Sequence, residues 1–425
     1  MKKRIHFIFI FVFIFFTFAE AGTSTKSNSQ CTFNTKTQEL LVNEAITPFP
    51  IASVSKVITS YWAISQLGAQ YRYPHQLYIT ALDKNIVDVH IAGSLYPYFD
   101  RTFFQYLIAQ LNLLGIYQIN TLTYDENFEY SSIVRTNSNL AHQNHDPDST
   151  EIMRSLRSDL KQLNSGYSAL KAKSKALDQT EWPTQLKMTI KDIHYISKSD
   201  FQPVASTQVL TLFSSPLYRL LKEMNRNSNN FAADKVFEKL SQTNSFETFI
   251  RQKFSYSHDD IDMRNGSGYP IMIDQEKFYN KASCEVVLKV LSSLTNLLKQ
   301  QNLGLQDVLS VAGADSAADG ASTVTTLYSS TTTDDSLLAK TGTVAQSVSL
   351  AGQILTAAGP IFFHTAYQVQ DNPNSRRIAY NGIKQWIENL IKKYGKVKLD
   401  NYNPKGFLPF DKNSTPKKNE PPKLM

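Results

Sequence analysis

The chain has 425 residues, 42% of them hydrophobic and 19% charged, with a formal charge of +7. That is the composition of an ordinary globular protein, not of a disulfide-stapled miniature, and the length calls for two domains or more. Most of the charge sits at the ends: three bases and one acid lie in the first 21 residues and seven lysines against three acids in residues 395–425, which leaves about +1 between and excludes the concentrated basic face of a nucleic-acid groove.

The opening residues, "MKKRIHFIFIFVFIFFTFAEAG", place Lys2, Lys3 and Arg4 before an apolar stretch from Ile5 to Phe18 and small residues at Ala19 and Ala21. This is an export signal, with cleavage expected after Ala21 and delivery to the periplasm. The apolar stretch is shorter than the roughly 20 residues of a spanning helix. Cys31 and Cys284 are the two cysteines of the chain, and their spacing leaves open whether they pair.

From Cys31 to Asn43, "CTFNTKTQELLVN" predicts two short strands about a polar turn. After Pro50 and Ser53, the residues Val54, Val57, Ile58, Tyr61, Trp62, Ile64 and Leu67 cover nearly every face of a helix closed by Gly68, which marks a buried helix. Between Gln76 and Val204 the texture changes. Strand-like "LYITALDKNIVDVHIAG" and "GIYQINTLTYD" flank an amphipathic helix, "RTFFQYLIAQLNLLG". A polar helix-prone stretch, Ser149 to Gln179, precedes strand-like "WPTQLKMTIKDIHYIS".

Then "PLYRLLKEMN" sets Leu217, Leu220, Leu221 and Met224 at helical spacing, and "FAADKVFEKL" begins another helix, with Ser228, Asn229 and Asn230 at the break. Three strands are predicted in "LLAKTGTVAQSVSLAGQILTAAGPIFFHTAYQ". A closing helix in "RRIAYNGIKQWIENLIKKYG" turns Ile378, Trp386, Leu390 and Ile391 inward and stops at Gly395. The pattern implies an α/β (α+β) chain: one sheet covered by helices on both faces, interrupted by a smaller α/β insert. The expected divisions are a signal peptide (1–21), a catalytic domain in two parts (22–75 and 205–395), the insert (76–204) and a basic flexible tail (396–425), weakly attractive to anionic envelope surfaces.

Ser53 and Lys56 form a Ser-x-x-Lys pair, but the same spacing recurs at Ser158, Ser168 and Ser414, so spacing alone selects nothing. Context separates them. Ser53 begins a buried helix, where backbone N–H groups favour developing negative charge, and Lys56 lies on the same face. A buried lysine is costly unless paired or neutral, and a neutral amine beside a serine is a general base. Ser228 and Asn230 make a Ser-x-Asn pair at a helix junction. Lys340, Thr341 and Gly342 make the one Lys-Thr-Gly run in the chain, Gly342 leaving the strand edge open to a substrate. Each piece also has a bland reading, with Ser53 and Ser228 as helix caps and Lys-Thr-Gly as a turn. The clusters His142, His145, Asp146, Asp148 and His258, Asp259, Asp260, Asp262 make no metal-ligand spacing, and neither metal nor cofactor is expected.

In "PIASVSKVITSYWAISQLG", "LLKEMNRNSNNFAADKVFEKL", "MRNGSGYP", "LSVAGADSAADG" and "LLAKTGTVAQSVSLAGQILT", the chain resembles the class C low-molecular-mass penicillin-binding proteins, the D-alanyl-D-alanine carboxypeptidase/endopeptidase family of serine peptidases. The resemblance spans residues 31 to 394. It implies a β-lactamase/transpeptidase-like fold and peptidoglycan stem peptides as substrate, with β-lactam antibiotics as covalent inhibitors. Ser53 would attack the carbonyl between two D-alanines, Lys56 take its proton, Ser228 relay a proton to the leaving group and Asn230 fix the acyl chain. Lys340, Thr341 and Thr343 would hold the terminal carboxylate, and the N–H groups of Ser53 and Thr343 would meet the oxyanion. Two departures stand out: Asn265 replaces the family's usual aspartate, and the insert of about 130 residues is shorter than usual. A β-lactamase or esterase of the same fold, or a non-catalytic wall-binding protein, are the competing expectations.

Overall fold

The structure is a computed structural model that describes residues 28–43, 48–83, 85–130, 148–176, 182–316, 320–404 and 406–411. The apolar leader, the histidines at 142 and 145 with Asp146, and the last part of the basic tail lie outside the described residues.

The chain opens with strands β1 (Asn28–Asn34) and β2 (Leu40–Asn43), then helix α1 (Ser55–Leu67). The next elements are β3 (Pro74–Asp83), β4 (Ile86–Ala92), α2 (Arg101–Leu113), β5 (Gln118–Tyr124), α3 (Ser149–Lys161), α4 (Tyr167–Ala176), β6 (Thr189–Tyr195) and β7 (Gln208–Phe213). Helices α5 (Leu217–Asn227), α6 (Asn230–Ser241), α7 (Phe246–Phe254) and α8 (Cys284–Lys299) follow. The chain continues through β8 (Ser310–Val311), α9 (Thr323–Tyr328), β9 (Leu337–Val344), β10 (Ser347–Ile354), β11 (Ile361–Gln368) and α10 (Pro373–Tyr394).

The first and last thirds build one antiparallel sheet in the order β8-β9-β10-β11-β1-β2, so the N-terminal hairpin completes a sheet whose other strands begin only at Ser310. All eight residues of β10 are buried, which requires cover on both faces. Helix α8 covers one face, with α1 packed against α8; α10 covers the other through Ala379, Ile383, Ile387 and Ile391, a stripe repeating every four residues. Trp386 and Leu390 flank that stripe, half-buried, whereas Ile378 falls outside it at 49% exposure and corrects the expectation that it points inward. A disulfide joins Cys31 of β1 to Cys284, the first residue of α8, and fixes the start of that helix to the sheet.

A second sheet, β6-β5-β4-β3-β7, stands apart from the first. Its β4-β5-β6 strands are parallel, and β3 runs antiparallel between β4 and the edge strand β7, with α2 between β4 and β5 and α3 and α4 between β5 and β6. Helix α2 starts at Asp100, whose carboxylate accepts from the N–H groups of Thr102 and Phe103. Asp148 and Glu151 close a reciprocal capping box on α3. Two strands cross the limits expected for the insert: β3 begins at Pro74, and β7, beyond Val204, pairs with β3 over Pro74 to Ile79.

Residues 396–411, expected as the start of a flexible tail, are instead laid across the molecule. Leu408 and Phe410 are buried, and the Phe410 ring stacks 4.1 Å from that of Tyr106 on α2. Ser215 accepts no such role by sequence, yet its hydroxyl donates to Leu408 O at 2.6 Å, and Asp411 closes on Arg72 at 2.7 Å. The stretch is thus docked by buried apolar side chains together with hydrogen bonds and an ion pair to the body.

Candidate active site

Ser53 lies in a short 3-10 turn, Ala52–Val54, that runs directly into α1. Its hydroxyl caps nothing: the N-cap of α1 is Val54 and no side chain bonds the helix start. Ala52, just before it, holds φ at +48°, a left-handed conformation that costs an alanine about 1–2 kcal/mol and persists only where neighbours impose it. They do. Ile51 O accepts from Ser349 Oγ at 2.7 Å, Ile51 N donates to Asn280 O at 3.1 Å, and Ala52 O accepts from Ser55 Oγ at 2.7 Å.

Lys56, three residues on and therefore on the same helix face, is completely buried. Its Nζ donates to Ser53 Oγ at 2.9 Å, Asn230 Oδ1 at 2.7 Å and Ser267 O at 2.9 Å. Burial pulls its amine down from the ordinary lysine value to about 7, while the carboxylate of Asp234 pushes it part of the way back up. Asp234 is itself raised, to about 6, by burial, with Lys56 opposing that rise. Each charge therefore favours the other, and the ionisation of the two groups is linked.

Asp234 was not among the residues the motifs select. It stands four residues after Asn230 on α6, on the same face, and that spacing is the one signal the sequence offers. It accepts from Ser267 N at 2.8 Å, so a single peptide segment gives its N–H to Asp234 and its carbonyl to Lys56. Asn265 shapes this turn with both ends of its amide: Oδ1 accepts from Gly268 N at 2.8 Å, and Nδ2 donates to Tyr269 O at 2.7 Å. A carboxylate has no donor for that second bond. Asn265 thus keeps the segment ordered against the nucleophile.

Ser228 ends α5 in the left-handed region, φ +53°, and its hydroxyl accepts from Lys340 Nζ at 3.0 Å. Lys340, fully buried on β9, also donates to Thr341 O at 2.7 Å. Burial holds this second amine well below its ordinary value, and the nearby charge of Lys56 adds to the effect. Thr341 donates its hydroxyl to Thr323 of α9 at 2.9 Å, and exposed Thr343 shares a 2.8 Å hydrogen bond with the Tyr380 phenol of α10. Gly342 faces the nucleophile turn so closely that a Cβ there would lie 2.7 Å from Ile51 O and 3.1 Å from Ser53 N.

The eight motif residues accordingly meet in one place: Ser53, Lys56 and Asn230 through one buried amine, Ser228, Lys340 and Thr341 through the other, and Gly342 with Thr343 along the strand beside Ser53. What the motifs alone did not reveal is the support, namely Asp234, the Ser267 carbonyl, Asn280, Ser349 and Tyr380.

A helix-covered antiparallel sheet carrying a Ser–Lys pair at the foot of its first helix is the build of the penicillin-binding serine peptidases. The profile of the D-Ala-D-Ala carboxypeptidase 3 (S13) family matches residues 137–390. Among solved structures, the chain is similar to Bd3459, a predatory peptidoglycan endopeptidase from Bdellovibrio bacteriovorus, at 32% identity and TM-score 0.82 over 92% of this chain and 98% of that one. Bd0816, a predatory endopeptidase of the same organism, gives 30% identity and TM-score 0.81 over 92% and 99%. Penicillin-binding protein 4 from Haemophilus influenzae shares the fold at 16% identity, TM-score 0.60, over 88% and 97%. No curated protein matches the chain. The chain belongs to the D-Ala-D-Ala carboxypeptidase 3 (S13) family and is a serine D-Ala-D-Ala carboxypeptidase of that family.

Proposed function

We propose that the enzyme is exported to the periplasm, through the leader of residues 1–21, and that Ser53 opens peptidoglycan stem peptides through an acyl-enzyme, releasing terminal D-alanine and also cutting D-alanyl cross-links. One observation carries the catalytic assignment: the fully buried Lys56 amine, 2.9 Å from Ser53 Oγ and pulled down to about 7.

In its neutral form that amine takes the Ser53 proton as Oγ bonds to the carbonyl carbon. The N–H groups of Ser53 and Thr343 meet the oxyanion, a contribution worth about 2.7–4 kcal/mol per donor in other acyl-transfer enzymes. Ser228, whose oxygen accepts from Lys340 Nζ, gives its proton to the departing amine as the C–N bond breaks, and the Lys56 ammonium makes good that proton, which leaves Lys56 neutral again. Lys56 then takes a proton from water as it attacks the ester carbonyl and passes it to Ser53 Oγ as the ester C–O bond breaks. Asn230 commits its oxygen to Lys56, so its amide nitrogen is the group left to hold the acyl chain. Lys340, Thr341 and Thr343 supply cation and hydroxyls to the terminal carboxylate.

Cross-link cleavage is favoured because Bd3459 and Bd0816, both more than two-thirds covered at 30–32% identity, are endopeptidases. Penicillin G acylates Bd3459, and the same reaction is expected at Ser53. Mass spectrometry of defined muropeptides before and after incubation tests the proposal. Loss of one terminal D-alanine from a pentapeptide monomer and conversion of cross-linked dimers to monomers are the expected products; intact dimers would remove the endopeptidase part.

A pH profile tests the base. Acylation needs neutral Lys56, so the rate constant for reaction with a penicillin should climb as pH rises through about 7. The Asp234 carboxylate raises that value, and Asp234→Asn should therefore move the acid limb to lower pH, making the variant faster than wild type below neutrality. An unmoved limb would separate Asp234 from Lys56.

A further inference from the structure

We propose that Cys31, Cys284 and His364, after reduction of the disulfide, form a buried three-coordinate site for a monovalent copper ion. Cys31 on β1 and His364 on β11 are directly opposed across an antiparallel pair, which puts both side chains on the same face of the sheet. Cys284, the first residue of α8, comes down on that face. One ligand atom from each of the three lies within 4.8 Å of the other two, in the one such cluster of three among the described residues.

The imidazole is what points to a ligand. Its residue has no solvent exposure, against 1% and 2% for the cysteines, and neither Nδ1 nor Nε2 has a hydrogen-bond partner. Buried polar atoms are nearly always bonded, and leaving one unpaired costs free energy. Nothing in the catalytic machinery uses this ring. Register places His364 beside Ala351 and Ala351 beside Lys340, so two strand spacings, about 10 Å, separate it from the reacting groups.

The donor set and its enclosure select the metal. Two thiolates and one imidazole suit soft Cu(I), which needs no fourth ligand. Zinc takes four ligands at structural sites, and this cluster offers three and is closed to bulk solvent. The chemistry balances with a phosphine or dithiol reductant: two electrons cleave the S–S bond, two protons from water give the thiols, and Cu(I) displaces both protons as two S–Cu bonds form and an imidazole lone pair completes the site.

The test uses the full chain, reduced with a phosphine under anaerobic conditions and titrated with Cu(I) from its bathocuproine disulfonate complex. Reduced wild type should take up one equivalent, with X-ray absorption showing two sulfurs and one nitrogen, while the oxidised protein and the Cys31→Ser/Cys284→Ser double variant take up none. His364→Gln should bind at least about tenfold more weakly, since even loss of a supporting partner costs that much. Circular dichroism and fluorescent-penicillin labelling follow the fold throughout. The proposal falls if reduced, folded wild type takes no copper, if His364→Gln binds equally well, if zinc is held in preference, or if reduction unfolds the chain and so removes the frame that gathers the ligands.

Discussion

Ser53→Ala is expected to abolish covalent labelling by fluorescent penicillin and to lower D-alanine release by on the order of 10⁶, the loss seen when a serine peptidase loses its nucleophile. The fold should hardly notice. Ser53 makes no cap bond, and without its hydroxyl Lys56 still donates to Asn230 Oδ1 and Ser267 O. The stability change should stay near 1 kcal/mol, the ordinary net worth of one hydrogen bond, and a urea midpoint read beside the label would show it. A rate collapse with the midpoint preserved is the signature of a lost reacting group. Persistent label in the variant would instead assign the chemistry to another nucleophile.

The elements that carry this site were legible where a short-range pattern dictates them. The buried helix after Ser53, the break at Ser228 and the three strands from Leu337 to Gln368 follow from apolar spacing, and the structure has them at those positions. Register across distant strands has no such signal, so neither the pairing of β1 with β11 nor the meeting of Cys31 with Cys284 can be read from the sequence. The same is true of Asp234: helical spacing puts it on the Asn230 face, but only the return of the chain at Ser267 gives its carboxylate a bond. Residues 396–411 depart from the expected tail for a different reason. Their composition is that of a solvated tail, and composition averages over Leu408 and Phe410, the two side chains that find an aromatic pocket near Tyr106 and Trp182.

The left-handed backbone at Ala52 is the feature least visible in sequence, and it leads to the second large effect. Gly268 has φ +74°, and a Cβ built on it would lie 1.9 Å from Ala52 O and 2.6 Å from Ser55 Oγ, with Ala52 C at 2.5 Å. Those atoms belong to the turn and helix start that present Ser53. No rotamer relieves a clash with backbone, so Gly268→Ala has to displace the turn by something like 1 Å, and such a displacement costs about 10²-fold in rate. Gly115, at the end of α2, supplies the control: its φ is +81°, but nothing lies within 4 Å of the added Cβ. Gly115→Ala should therefore pay only backbone strain, about 1–2 kcal/mol, with penicillin acylation at the wild-type rate. Gly268→Ala carries the same strain plus about 1–3 kcal/mol of overpacking and should acylate roughly a hundredfold more slowly. Urea midpoints and acylation rates of the two variants, measured together, separate the contributions. If Gly268→Ala reacts as fast as Gly115→Ala, the nucleophile turn is not held by the segment around Ser267, and the geometry of Lys56 must be fixed from elsewhere.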